Sequence, residues 1–164
     1  MGTSRGRVLA IAALKGAVSG LVGVAAMTAA GQVEIAVDHR PRSFIPARTL
    51  RALLGRPESD AQQSVVWNHA MHWGTGAVVG ALRGVWAVTG IRGPVANVHH
   101  TAVRLAVDQT LENGTGVGAP PMTWPRQELA VDLAGKSIYA FVTGIVADRW
   151  IRPVLQSQRG RTSH

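Results

Sequence analysis

The chain has no cysteine, which excludes disulfides and thiolate metal sites. Charge is also scarce. Asp, Glu, Lys and Arg make up 16% of the 164 residues, against roughly 25% in an ordinary soluble domain. Acids are the rarer sign: 9 Asp and Glu face 17 Lys and Arg, a net charge of +8. Tyrosine occurs once and phenylalanine twice, beside five tryptophans. No nucleophile elbow, P-loop, dinucleotide fingerprint or HExxH signature occurs, so the enzymes that need them are excluded. No β pattern or internal repeat stands out.

Hydrophobic residues are plentiful at 46%, and there are 19 glycines. So much Ala, Val and Leu excludes a disordered basic tail. The arginines sit singly or in pairs beside apolar stretches, as in Arg5/Arg7, Arg40/Arg42 and Arg149/Arg152. That is the pattern of charge flanking membrane spans rather than a nucleic-acid-binding surface. Low charge, abundant Gly and an excess of Trp point the same way.

The patterning predicts an all-α, integral membrane, four-helix antiparallel bundle in a single domain. Its helices run over 8–38, 60–91, 94–112 and 126–151. A connector occupies 39–59, a Gly/Pro loop 113–125 and a frayed tail 153–164. The first segment carries a single charge, Lys15, between Val8 and Val33, long enough to cross roughly 30 Å of hydrocarbon. It is too long, and too rich in Gly, to read as a cleaved signal peptide. Gly2 lacks the Ser or Thr at position 6 that myristoylation needs. Within the Arg- and Pro-rich connector, Pro46 to Leu54 reads as a short interfacial amphipathic helix, with Leu50, Leu53 and Leu54 opposite Arg48 and Arg51. Ser59-Asp-Ala-Gln62 reads as a capping box for the second helix. Pro125 reads as a first-turn residue of the fourth. Asn113-Gly-Thr115 matches a glycosylation sequon placed in the loop.

Gly76, Gly80 and Gly84 are spaced by four, forming two overlapping GxxxG units in the second helix, while Gly16 and Gly20 mark the first. Each glycine costs about 1 kcal/mol against Ala in a helix interior. A stripe in register therefore implies close packing on another helix, either within the chain or in a homo-oligomer.

With four spans, both termini and the 91–94 turn share one side. Flanking Lys and Arg are nearly balanced between the two sides, with a slight excess beside the termini, which the positive-inside rule assigns to the cytoplasm. The acids are not balanced. Glu34, Asp38, Glu58, Asp60, Asp108, Glu112, Glu128 and Asp132 all fall toward the connector side, and Asp148 is opposite. Glu34/Asp38, Asp108/Glu112 and Glu128/Asp132 are i,i+4 pairs, each on one helix face. Carboxylate pairs on facing helices can hold Mg²⁺, which makes Glu34, Asp38, Asp108 and Glu112 metal candidates. The same acids can instead pair with Arg40, Arg42, Arg104 or Lys136. His69 and His72, at i,i+3, lie near one face, as metal or proton-relay candidates or as packing residues. His100, Arg104, Asp108 and Glu112 form an i,i+4 ladder that cannot face lipid, and Asp132, Lys136 and Tyr139 form its counterpart on the fourth helix. Arg83 is expected to snorkel or pair. Trp67, Trp73, Trp124 and Trp150 fall near helix ends, as interface anchors do.

His72-Trp73-Gly74-x-Gly76-Ala77-x-x-Gly80-Ala81-Leu82-Arg83-Gly84, with the Gly-rich first helix, resembles the small YagU-like bacterial inner-membrane proteins. The resemblance covers helices one and two and implies a multi-pass protein of the inner membrane. It carries no chemistry over.

These features predict a lipid-bilayer protein with a polar site at one membrane face. The site would bind, or act on, a phosphorylated or prenyl-diphosphate lipid with Mg²⁺, its phosphates met by Arg40, Arg42 or Arg104. A proton- or ion-linked permeation protein using the His/acid ladder is the alternative. A structural or assembly subunit is the third reading.

Overall fold

Long runs of Ala, Val, Leu and Gly without β-branched alternation make helices here, and Pro or Gly delimits most of them. The computed structural model describes residues 4–38, 43–56 and 64–156. Among these the chain forms five α-helices and one 3-10 turn, with no strand: α1 (Arg5–Asp38), α2 (Ile45–Leu53), α3 (Val65–Thr89), α4 (Gly93–Gly114), the 3-10 turn Pro121–Thr123, and α5 (Arg126–Trp150). The all-α class is as the sequence predicts, and the expected start of the second long helix at 60 lies outside the described residues. The proposed capping box at 59–62 lies outside the described residues, and α3 is capped by Ser64, whose hydroxyl accepts from Trp67 N. Pro125 is the N-cap of α5 rather than its first helical residue. Gly90, at φ 97°, ends α3 in the left-handed region where Gly is the favoured residue. Asn113 belongs to the last turn of α4, not to a loop, and its amide donates to Gln109.

α1 lies antiparallel against α3, and glycine permits their closeness. A Cβ on Gly80 would sit 2.6 Å from both Gly16 O and Gly20 Cα, and one on Gly84 would sit 2.7 Å from Gly16 Cα. The 76/80/84 face is therefore filled by α1 of the same chain, the first of the two packings its spacing allowed. α1 also packs on α5, and α5 on α4, whereas the α3 and α4 backbones, only Gly90–Arg92 apart in sequence, meet mainly through side chains such as Arg83 to Asn97 and His100 to Val79 O. The result puts α1 and α4 at opposite corners of the α3–α5 pair. At the end holding the N-terminal turns of α1, a small core of Ala12, Ala87, Val88, Ala147 and Ile151 draws in Val8, Leu9 and Leu155. Leu155 N donates to Val88 O, tying the segment after α5 to the end of α3.

α2 packs on α3 as a short amphipathic helix. Asn68 Oδ1 accepts from Ala47 N, and Arg56 lies 5.4 Å above the Trp67 ring. Leu53 and Leu54 remain exposed.

The distribution of polarity is inverted. Arg83, Tyr139 and His100 are the largest wholly buried side chains, and Arg104, Lys136 and Asn97 are buried with them. Outside, Leu14, Val33, Val37, Val78 and Val95 are 65–72% exposed. Two helices, α1 and α5, are long and apolar enough to cross a membrane. α1, with 34 residues, extends about 51 Å and exceeds the hydrocarbon thickness.

Candidate functional site

Two polar groups occupy the interior, one at each end of a file along α4. The first forms around Asp148, which sequence reasoning set aside as the one acid on the wrong side. Its Oδ2 accepts from Arg83 Nη2 at 2.8 Å and from Gly93 N, in the first turn of α4, at 2.9 Å. Arg92 approaches Oδ1 at 3.6 Å and also donates to the Asp148 and Ile151 carbonyls. Arg83 further donates to Asn97 Oδ1 at 3.0 Å. Thus Arg83 pairs, as one of its two expected behaviours. Gly144 makes room for the Asn97 side chain that accepts from Arg83, since a Cβ there would collide with it. The signal available in the sequence was the coincidence of Arg83, Arg92 and Asp148 at one level of the bundle.

The second group lies where the acids were expected. Arg104 Nε donates to Asp108 Oδ2 at 3.1 Å. Lys136 Nζ reaches the same oxygen at 3.5 Å and grips both oxygens of Asp132 at 2.5 and 2.6 Å. Glu112 is within electrostatic reach of Lys136, Asp108, Asp132 and Arg104, and His72 of Arg104 and Lys136. Six candidates from three helices therefore converge: His72, Arg104, Asp108, Glu112, Asp132 and Lys136. The i,i+4 spacing on α4 and α5 aims both ladders at the shared interface, which is why pattern alone found them.

Between the two groups stand His100 and Tyr139. His100 Nε2 is 3.1 Å from Val79 O, and its ring is 5.5 Å from that of Tyr139 and 6.0 Å from that of Trp86. Tyr139 donates to Gly76 O at 2.7 Å, and the Arg104 guanidinium sits 5.0 Å over its ring. His100 Nδ1 and Arg104 Nη1 are buried and make no well-aligned hydrogen bond, although the Ala140 backbone lies beside the His100 ring and the Tyr139 hydroxyl beside Arg104. Buried polar atoms of that kind call for an explanation in a bound molecule or a functional role.

Other candidates fall elsewhere. His69 is exposed, while His72 Nε2 is 3.4 Å from Thr28 Oγ1. Glu34 sits near the C-terminal end of α1, which packs on α3 and α5. Asp38 is the last residue of α1, and its side chain, with Arg40 and Arg42, lies outside the described residues. Among the described residues no three His, Asp or Glu side chains form a set able to hold a metal ion. Asp108 and Asp132 are instead engaged by cations. Of the tryptophans, Trp150 takes Lys15 over its ring at 5.4 Å, Trp124 donates to Ala119 O, and Trp73 packs against the Val24–Tyr139 cluster.

Comparison of the chain with protein families, with curated proteins and with solved structures finds no match.

Proposed function

We propose that this is a four-span protein of the bacterial inner membrane that binds a phosphorylated lipid at the Arg104–Lys136 group. The inverted polarity supports the membrane setting, because apolar exposure on this scale is costly in water and cheap in lipid. The resemblance of α1 and α3 to YagU-like proteins points the same way, and the slight excess of Lys and Arg beside the termini puts that side in the cytoplasm. The expected result of carbonate extraction is that the protein stays in the membrane pellet. Release into the supernatant would sink the reading.

The observation that carries the lipid reading is Arg104 Nη1, buried beside Lys136 and His72 with no well-aligned hydrogen bond of its own. Arg104 is a planar donor whose Nε is fixed by Asp108 and whose Nη1 is left for an anion. Asp108 and Asp132 then serve to hold the two cations in place, so Mg²⁺ is not needed to meet the phosphate charge. In nanodiscs of phosphatidylcholine, farnesyl diphosphate should bind the protein and survive EDTA with about the same affinity. Arg104→Gln should weaken binding about ten- to a hundredfold, the worth of a hydrogen bond to a charged group. Loss of wild-type binding in EDTA would reinstate Mg²⁺ at Asp108 and Glu112, and no binding by the wild type would end the reading.

The file itself favours a second function. Asp132 and Asp148 are sixteen residues apart on α5, about 24 Å of helix, with Lys136, Arg104, His100 and Arg83 between their levels. A file of that length is what a proton- or ion-linked path requires. In liposomes loaded with a pH-sensitive dye, flux abolished by His100→Phe, with no lipid binding by the wild type, would replace the first reading by this one. Neither activity would leave the structural subunit.

A further inference from the structure

The end of the bundle away from the Arg104–Lys136 group carries positive charge that the chain's own acids leave unbalanced. The sequence holds no Asp or Glu before Glu34, between Asp60 and Asp108, or after Asp148. Asp148 is therefore the one acid at this end, and Arg83 and Arg92 already share it. Lys15, Arg149 and Arg152 take no part in the ion pairs among the described residues. All three stand where α1 meets the end of α5. Ala12 packs with Ala147 and Ile151, which sets the next turn of α1 beside the last turn of α5. There the Lys15 ammonium lies 5.4 Å from the centre of the Trp150 ring. Arg149 and Arg152 flank Trp150 in sequence and are exposed, as are Trp150 itself and Leu14 and Val18 beside Lys15. The depth follows from α1. From Lys15 to Glu34 the helix carries no other charge, and those nineteen residues extend about 28 Å, close to the roughly 30 Å of hydrocarbon. A bilayer fitted to that stretch has Lys15 and Trp150 at one boundary between hydrocarbon and headgroups, where Trp settles and a long lysine stem reaches outward.

We propose that Lys15, Arg149 and Arg152, around Trp150, form a site for the headgroup of an anionic phospholipid in the leaflet on the side of both termini. The inference rests on the membrane setting proposed above and is independent of the assignment of Arg104. The occupant follows from charge and depth together. Three cations without a carboxylate select an anion, and basic sites between helices at this level hold anionic headgroups. The exposed Leu14 and Val18 offer the acyl chains a surface that a soluble anion would not use. A second copy of the same end would set like charges against each other.

The test uses the protein reconstituted in phosphatidylcholine vesicles, with spin-labelled phosphatidylglycerol or phosphatidylcholine as probe. The motionally restricted fraction of each label gives the preference for the anionic lipid. The wild type should prefer phosphatidylglycerol about tenfold or more, since each basic residue near an anionic surface is worth roughly fivefold. Lys15→Gln should lower that preference about fivefold, and Lys15→Arg should keep it. Arg149→Gln combined with Arg152→Gln should bring it close to unity, and this variant carries the test if Lys15→Gln fails to reconstitute. Arg126→Gln removes the same charge from an exposed site at the start of α5, the opposite end, and should leave the preference within about twofold. Equal losses in Lys15→Gln and Arg126→Gln would overturn the site in favour of overall charge. Displacement of the lipid by excess inorganic phosphate would overturn the phospholipid as occupant. A reconstituted wild type without any preference ends the site and leaves the membrane setting standing, whereas a wild type that does not float with the vesicles removes both.

Discussion

Asp148→Asn is expected to destabilise the protein by about 3–5 kcal/mol, the cost of removing one partner from a buried ion pair. The substitution keeps size and an acceptor for Gly93 N, but deletes the charge facing Arg83. Arg83 is wholly buried, and its remaining acceptors are Asn97 Oδ1 at 3.0 Å and Ile91 O at 3.4 Å, both neutral. Its Nε already lacks a partner. Arg92 would face the same deficit less severely, because it is more exposed. Thermal unfolding in a mild detergent measures the effect. The control is the double variant Arg83→Met with Asp148→Asn, which removes the stranded charge and should recover more than half of the loss. A single variant that melts within about 1 kcal/mol of wild type would show that Asn97 and the Ile91 carbonyl suffice for Arg83.

The contrast between the two polar groups shows what was legible before any coordinates. Arg104, Asp108, Asp132 and Lys136 announce themselves, because i,i+4 repeats put them on one face of each helix and lipid forbids that face from turning outward. Their mutual neutralisation was one of two readings the spacing allowed, beside a shared metal. Whether a carboxylate meets a metal or a lysine depends on the rotation of α4 against α5, and the period within one helix says nothing about that. Asp148 was missed for a related reason. It stands alone in its helix turn, and its partners Arg83 and Arg92 come from the end of α3 and the start of α4. Only the antiparallel register brings these three together. Arg83 itself was ambiguous, since a long cation amid glycines can snorkel or pair, and the choice is made by whether an acid waits at the same depth. The glycine register was legible as a close contact, but its occupant was not, because GxxxG serves contacts within and between chains equally well.

Gly80→Leu is expected to lower stability by about 3 kcal/mol or more, at the upper end of overpacking costs. A methyl group alone would come within 2.6 Å of Gly16 O and of Gly20 Cα, and both are backbone atoms of α1 that cannot rotate away. Leucine adds three more carbons to the same space. Relief requires α1 and α3 to separate along their length, which would also pull Val24 from Gly76 and lengthen the Tyr139 bond to the Gly76 carbonyl. The intrinsic helix preference acts in the other direction, since leaving Gly gains at most about 1 kcal/mol. Packing therefore decides the sign. Gly74→Ala is the control: its Cβ points into open space, so only the propensity gain remains and stability should be equal or slightly higher. Unfolding followed by denaturing detergent, at two protein concentrations, completes the argument. Because Gly80 meets α1 of its own chain, the loss should be independent of concentration. A loss that disappears on raising the protein concentration would transfer the glycine face to a contact between chains.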